Sequence, residues 1–188
     1  MTTPTPTDRA IRGLVLAGGQ SRRMGRDKAA LEWAGGTLLS HAVALLGRAG
    51  AARVWVSGNH AAYRGIPDAL PGLGPLGGLA SALAVIPDGL LWVIPVDMPL
   101  LSVALLHRLR DAGPGSVRIF AEYPLPMCLK IDSTCRKVLA SMCGDVDGTR
   151  SVRALQQRLG VVEVPVAAHE LPRLVNCNTP QQWRELAP

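Results

Sequence analysis

The sequence predicts a Rossmann-like α/β fold: a doubly wound, mostly parallel sheet with helices on both faces. Short apolar runs alternate with amphipathic, helix-like segments along most of the 188 residues, and this alternation is typical of βαβ units. The run at 89–96 is apolar throughout, as expected for a strand that helices cover on both faces. Polar or glycine-rich residues follow the first three runs, where ligands bind in such sheets.

The elements are bounded by glycine, proline and capping residues. The first apolar run ends at Gly18-Gly19, and Ser102 can cap a helix. The predicted strands are 11–17, 53–57, 89–96, 116–121, 127–131 and 161–166. The predicted helices are 37–49, 76–85, 102–111, 135–142 and 151–159. Because no linker interrupts this series, we expect one domain, residues 9–188, after a flexible Thr/Pro tail, residues 1–8.

The composition excludes several classes of protein. A mean hydropathy of +0.20 with 18% charged residues argues against disorder. Only 4% of the residues are aromatic, too few for a base-stacking nucleic-acid surface. A net charge of +6 suits anionic partners, and small phosphorylated ligands rank above nucleic acid. The longest uncharged run, 69–87, holds three prolines and four glycines, so we expect no membrane span.

The cysteines and the N-terminus indicate a cytoplasmic protein. The four cysteines form no CxxC pair or His/Cys cluster, which favours reduced thiols over zinc ligands or disulfides. Residues 1–8 lack the apolar stretch of a secretory signal. We therefore expect cytoplasmic localisation.

The loop after the first strand is the most informative segment. It reads Leu-Ala-Gly-Gly-Gln-Ser-Arg-Arg-Met-Gly-Arg-Asp-Lys from Leu16 to Lys28. Gly18 and Gly19 can bring backbone N–H groups close to phosphate oxygens. Arg22 and Lys28 add charge that can stabilise a triphosphate and a departing pyrophosphate. A plain strand–loop–helix corner with solvated cations is the alternative.

Asp97 is the candidate metal ligand. It follows the apolar strand directly, so its carboxylate lies at the mouth of a rigid element. Mg²⁺ is usually held by one or two carboxylates together with substrate phosphates. The alternative is that Asp97 only begins the turn before Pro99.

These segments resemble the molybdenum cofactor guanylyltransferases, the MobA family within the nucleotidyltransferase superfamily. Residues 16–28 match its L-A-G-G-x-S-x-R-M-G-x-D-K pattern at each fixed position. The family's second glycine segment is similar to 74–79, its D-x-P segment to 96–100, and its N-x-N-T-P segment to 176–180. The resemblance covers most of 12–187 and implies a nucleotide-diphospho-sugar transferase-like fold.

The resemblance also implies a reaction and a set of site residues. GMP would pass from GTP to the terminal phosphate of molybdenum–molybdopterin, with Mg²⁺ as cofactor. The catalytic residues would be Arg22, Lys28 and Asp97, with Asp97 holding the metal. The GTP-binding residues would be Leu16, Ala17, Gly18, Gly19, Lys28, Asn59, Asp68, Gly78 and Asp97. Asn176 and Asn178 would lie toward the acceptor, although Asn before Thr-Pro also suits an ordinary cap.

The partners implied are GTP, molybdopterin and, transiently, molybdopterin-handling proteins and chaperones of apo-molybdoenzymes, with no nucleic acid and no membrane. The nearest alternative is a cytidylyltransferase acting on molybdopterin, or another small-acceptor nucleotidyltransferase. A Leu-Ala-Gly-Gly loop favours guanine. A non-catalytic nucleotide-binding module and a weak RNA binder are further alternatives, against which Asp97, Lys28 and the low aromatic content argue.

Overall fold

The computed structural model describes residues 10–18, 27–70, 72–145, 148–178 and 181–182. The predicted tail, 1–8, lies outside these ranges. Gly19 and Arg22 lie outside them as well, so their predicted roles have no structural counterpart here.

The main sheet has six strands in the order β4-β1-β5-β7-β6-β8. Strands β2 and β3 form a separate two-stranded sheet. The strand ranges are β1 (Arg12–Leu16), β2 (Glu32–Trp33), β3 (Gly36–Thr37), β4 (Val54–Ser57), β5 (Gly89–Pro95), β6 (Val117–Phe120), β7 (Tyr123–Ile131) and β8 (Val161–Val164). Strand β1 runs parallel to β4 and β5, and β6 runs parallel to β8. Only β7 runs against its neighbours in this sheet, which confirms the mostly parallel arrangement.

Helices cover both faces of the sheet, as predicted. They are α1 (Leu38–Arg48), α2 (Pro75–Leu83), α3 (Val103–Asp111), α4 (Ser133–Gly144) and α5 (Val152–Leu159). Helices α1 and α3 pack on one face, with Trp92 fully buried among them. Helices α2, α4 and α5 pack on the other, against the alternate residues of the same strands, such as Leu91 and Val93. Each face therefore buries its own core.

Side-chain caps fix the start of several helices. Thr37 caps α1 in a capping box with Ser40, and Ser102 caps α3 as the sequence predicts. Asp132 and Ser151 cap α4 and α5. These oxygens satisfy N–H groups that have no partner within the helix.

Two local features go beyond the sequence prediction. Strands β2 and β3 form a short hairpin through Ala34 and Gly35, both with positive φ, as type I′ turns require. Strand β7 begins at Tyr123, four residues before the predicted start. It is antiparallel to β6 because only two residues connect them, and a parallel connection needs a crossover of a dozen or more. No helix in the described part of the chain is both long and apolar enough to span a bilayer.

Candidate active site

The strand register brings three chain segments together at the carboxyl edge of the sheet. Leu16 pairs with Ser57 on one side and with Pro95 on the other. The residues that follow these strand ends therefore meet at one edge, where ligands of open α/β sheets bind. The loops that carry Gly18, Gly58 and Asp97 all begin at this edge of the sheet.

On the β4 side, backbone segments approach each other so closely that only glycine fits. A Cβ atom on Gly58 would lie 3.1 Å from both the N and the Cα of Gly18, and Gly58 has a φ of +104°. A Cβ on Gly78, in α2, would lie 3.1 Å from the Oγ of Ser57. We call Gly18, Gly58, Gly78 and Ser57 the glycine cradle. The missing side chains let these segments pack closely; Gly18 is exposed at the edge of the sheet, whereas Gly58, Gly78 and Ser57 are buried.

Ser57 lies at the predicted ligand-binding edge of the sheet, but sequence reasoning assigned no role to it or to Gly58. It is only 1% exposed, and its hydroxyl has no hydrogen-bond partner in the described structure. A buried hydroxyl without a partner is costly, so this oxygen is suited to a group that the protein does not supply. Its position at the end of β4 and before Gly58 was the available signal.

On the β5 side, four polar side chains form one network. The Nζ of Lys28 lies 3.0 Å from the Oδ2 of Asp97. The same Nζ donates to the Oδ1 of Asn178 at 2.6 Å. The Nδ2 of Asn176 donates to the Oδ1 of Asp97 at 3.1 Å. We call Lys28, Asp97, Asn176 and Asn178 the charged network; the fold thus brings together residues up to 150 positions apart.

Local structure directs Lys28 into this network. Lys28 begins a short 3₁₀ helix, Lys28–Ala30, whose N-cap is Asp27. The Asp27 carboxylate accepts a hydrogen bond from the Ala29 N–H at 3.0 Å. Lys28 is only 17% exposed and the Asp97 side chain 13%, so solvent screens this pair less than a surface pair. Sequence reasoning did not single out Asp27.

The remaining predicted residues lie near the cradle. Ala17 follows β1, and its carbonyl accepts a hydrogen bond from the Nε2 of His60 at 3.2 Å. Asn59 is exposed in the turn after Gly58. Asp68 lies beside the first turn of α2, because a Cβ on Gly77 would be 2.9 Å from both of its carboxylate oxygens. The predicted nucleoside residues therefore lie along β1, β4 and α2.

Comparisons with protein families identify the family of the chain. Residues 13–161 match the model of the MobA-like NTP transferase domain. The chain belongs to the MobA-like NTP transferase family. A molybdenum cofactor guanylyltransferase from Xanthomonas euvesicatoria pv. vesicatoria (strain 85-10) is 50% identical over 175 residues, which cover 93% of each chain. The protein is thus a nucleotidyltransferase, as the loop at 16–28 indicates.

Solved structures support the fold assignment. The molybdopterin-guanine dinucleotide biosynthesis protein A from Archaeoglobus fulgidus superimposes with a TM-score of 0.71 at 23% identity, over 93% of this chain and 95% of that chain. The 2-C-methyl-D-erythritol 4-phosphate cytidylyltransferase from Thermus thermophilus gives a TM-score of 0.65 at 17% identity, over 92% of this chain and 95% of that chain. The predicted nucleotide-diphospho-sugar transferase-like fold is confirmed.

The donor set of this MobA-like site fits a cation that is shared with a substrate. Asp97 supplies the carboxylate of the charged network, and no group of three His, Cys, Asp or Glu side chains that could hold a metal ion occurs among the described residues. Each Asp97 oxygen accepts one bond, while a carboxylate has about four acceptor sites. Mg²⁺ held by one carboxylate and phosphate oxygens fits this set, whereas an all-protein cage does not.

The thiol beside the network does not act as an anion. Cys177 is buried between Asn176 and Asn178. Burial raises the pKa of the Cys177 thiol; nearby Lys28 lowers it and Asp97 raises it. The thiol is therefore neutral at physiological pH, and the network contains one ammonium and one carboxylate.

Proposed function

We propose that this protein transfers GMP from GTP to the terminal phosphate of molybdenum–molybdopterin, forming the guanine dinucleotide cofactor and pyrophosphate. The 50% identical relative carries the name of this activity. The observation on which the proposal depends most is the Lys28–Asp97 pair at the carboxyl edge of β1 and β5. The pair combines a cation and a carboxylate beside the glycine cradle, and this combination suits a nucleoside triphosphate and its metal.

The chemistry requires positioning and charge. A phosphate oxygen of the acceptor attacks the α-phosphorus of GTP, and the bond from that phosphorus to the oxygen leading to the β-phosphate breaks. The acceptor is already an anion, so no strong general base is needed. When bound, Mg²⁺ supplies positive charge to the phosphates and is held by Asp97.

Each protein residue has a proposed part in this step. Lys28 and Arg22 stabilise the negative charge that grows on the departing pyrophosphate. Gly18 and Gly19 donate backbone N–H bonds to phosphate oxygens. The guanosine end is contacted by Leu16, Ala17, Asn59, Asp68 and Gly78. We add Ser57 to this group, because its buried hydroxyl has no hydrogen-bond partner among the described residues.

The acceptor side and the partners are proposed on the same basis. Asn176 and Asn178 lie within the charged network, where the acceptor phosphate must meet the α-phosphorus. Molybdopterin-handling proteins and apo-molybdoenzyme chaperones are the proposed transient partners. We place the enzyme in the cytoplasm, where its four free thiols stay reduced.

The first test is calorimetric titration of the purified protein with GTP, CTP, ATP and UTP, with and without Mg²⁺. We expect GTP to bind most tightly and Mg²⁺ to strengthen that binding. The second test is incubation with GTP, Mg²⁺ and molybdenum–molybdopterin, with release of pyrophosphate and formation of the dinucleotide followed by chromatography.

The outcomes separate the alternatives. Tighter binding of CTP would indicate a cytidylyltransferase with the same mechanism. GTP binding without pyrophosphate release in the presence of the acceptor would indicate a different acceptor or a non-catalytic module. Absence of binding by any nucleotide would contradict the proposal.

A further inference from the structure

Asn176 and Asn178 each contact one member of the pair to which we assign the chemistry. Asn176 uses its amide nitrogen as a donor to Asp97. Asn178 uses its amide oxygen as an acceptor from Lys28. The two asparagines therefore use opposite ends of the same functional group, and each end matches the charge that it meets.

The backbone of this segment is anchored to the same strand end. The Cys177 N–H donates to the carbonyl of Asp97 at 2.7 Å, and the Cys177 side chain is fully buried. The Asn178 N–H donates to the side chain of Gln182 at 2.9 Å. Residues 176–178 are thus held against Asp97 independently of any ligand.

The chain just before this segment is fixed as well. Arg108 of α3 donates to both carboxylate oxygens of Glu170 and to the carbonyl of Pro165. Glu170 accepts a further bond from the Ala167 N–H at 2.9 Å. This clamp joins the connection after β8 to α3, so the segment returns to the end of β5 along a defined path.

We propose that Asn176 and Asn178 are positioning residues of the transfer reaction, which orient the Asp97 carboxylate and the Lys28 ammonium for the nucleotide. This role rests on the proposed function. It differs from a direct contact with the acceptor, because the asparagines act through Asp97 and Lys28.

The physical need for such residues is clear from the side chains involved. The lysine ammonium sits on a flexible four-carbon stem, so a single carboxylate partner leaves it several orientations. The contacts to Asp97 and Asn178 use two of its three N–H donors and define its direction. Asn176 fixes the plane of the Asp97 carboxylate through one oxygen, which leaves other lone pairs of that group for a cation.

The same substitution at the two sites gives opposite expectations. Asn178→Asp retains an oxygen that accepts from Lys28. Asn176→Asp replaces the donor with an oxygen that faces an Asp97 oxygen, and like charges repel. Asn176→Ala removes the contact to Asp97, and Asn178→Ala removes the contact to Lys28. The control is Gln157→Ala, which removes an exposed side-chain amide from α5.

The test measures kcat, both KM values, melting temperature and, without acceptor, Mg²⁺-dependent GTP binding. We expect kcat to fall about 10-fold or more in Asn176→Ala, Asn178→Ala and Asn176→Asp, since small misplacements cost up to about 10²-fold. The fall in kcat should be smaller in Asn178→Asp than in Asn178→Ala, because the aspartate keeps the oxygen that accepts from Lys28. GTP binding should weaken in both alanine variants, and the acceptor KM should stay unchanged.

Other results would overturn the positioning role. If GTP binding and kcat stay normal while the acceptor KM rises in all four variants, the asparagines bind the acceptor directly. If only the melting temperature falls, their role is structural. If the wild type itself binds no GTP, the proposed function is wrong. If the wild type binds GTP and the variants have the same kcat and GTP binding as the wild type, only the positioning role is overturned.

Discussion

The glycine cradle and the charged network occupy the same edge of the sheet but are built in opposite ways. In the cradle, Gly58 and Gly78 lack side chains and so approach Gly18 and Ser57 closely, and the Ser57 hydroxyl has no partner among the described residues. The network exists because polar side chains are present and paired. The function of the cradle should therefore be lost when an atom is added to it, and the function of the network when a charge is removed from it.

The largest effect is expected in the charged network. Asp97→Asn keeps the shape of the side chain but removes the charge that pairs with Lys28 and that the proposed metal requires. We expect turnover to fall about 10²- to 10³-fold, the range seen when one electrostatic group is removed from an active site. The melting temperature should change little. Asp111→Asn is the control, because Asp111 forms an exposed pair with Arg110; near-normal activity of Asp97→Asn would remove Asp97 from the metal site.

Removal of the cation should have the next largest effect. Lys28→Ala deletes the ammonium that faces Asp97 and that we propose contacts the nucleotide. We expect kcat/KM to fall at least about 10-fold, equivalent to about 1.4 kcal/mol of transition-state stabilisation. Lys130→Ala serves as the control, since Lys130 is exposed and paired with Asp132. Equal rates for the two variants would mean that Lys28 has no part in the transfer step.

The cradle should be sensitive to a single methyl group. Gly78→Ala places a Cβ atom 3.1 Å from the Ser57 hydroxyl, where the nucleoside is proposed to lie. We expect GTP binding to weaken about 10-fold, measured by calorimetry, because a near-contact must be relieved. Gly47→Ala in α1 is the matched control: its Cβ would meet no atom within 4 Å. It should stabilise the protein by about 0.5–1 kcal/mol, and equal GTP affinity in both variants would contradict the cradle.

The smallest effect should come from the unpartnered hydroxyl. Ser57→Ala removes a buried polar atom that has no described partner, so we expect unfolding stability to rise by up to about 1 kcal/mol. GTP affinity should fall about 5-fold, as loss of one hydrogen bond of about 1 kcal/mol implies.

Ser81→Ala sharpens the contrast. The Ser81 hydroxyl accepts from Ala69 and donates to Gly77, so its loss should destabilise the protein by about 1–2 kcal/mol. Chemical unfolding of both variants tests the pair. A destabilised Ser57→Ala variant with normal GTP affinity would mean that Ser57 serves the fold.

The sequence alone determined the order of strands and helices, the parallel core of the sheet and the loop that identifies the family. Periodicity, glycine pairs and capping residues are local signals, and each is readable within about a dozen residues. Lys28 and Asp97 could be predicted as site residues because Lys28 ends the glycine-containing loop and Asp97 follows a strand. The antiparallel direction of β7 was not predicted, because the predicted strand began at 127 and the two-residue link at 121–122 became apparent only in the structure.

Only the tertiary structure decided which of these residues meet. Lys28 and Asn178 are 150 positions apart, and no local pattern encodes a contact over that separation. The approach of Gly78 to the Ser57 hydroxyl, which has no partner among the described residues, likewise depends on how α2 packs against β4. Contacts of this kind arise from strand register and helix packing, and these are set by burial of the whole core rather than by neighbouring residues.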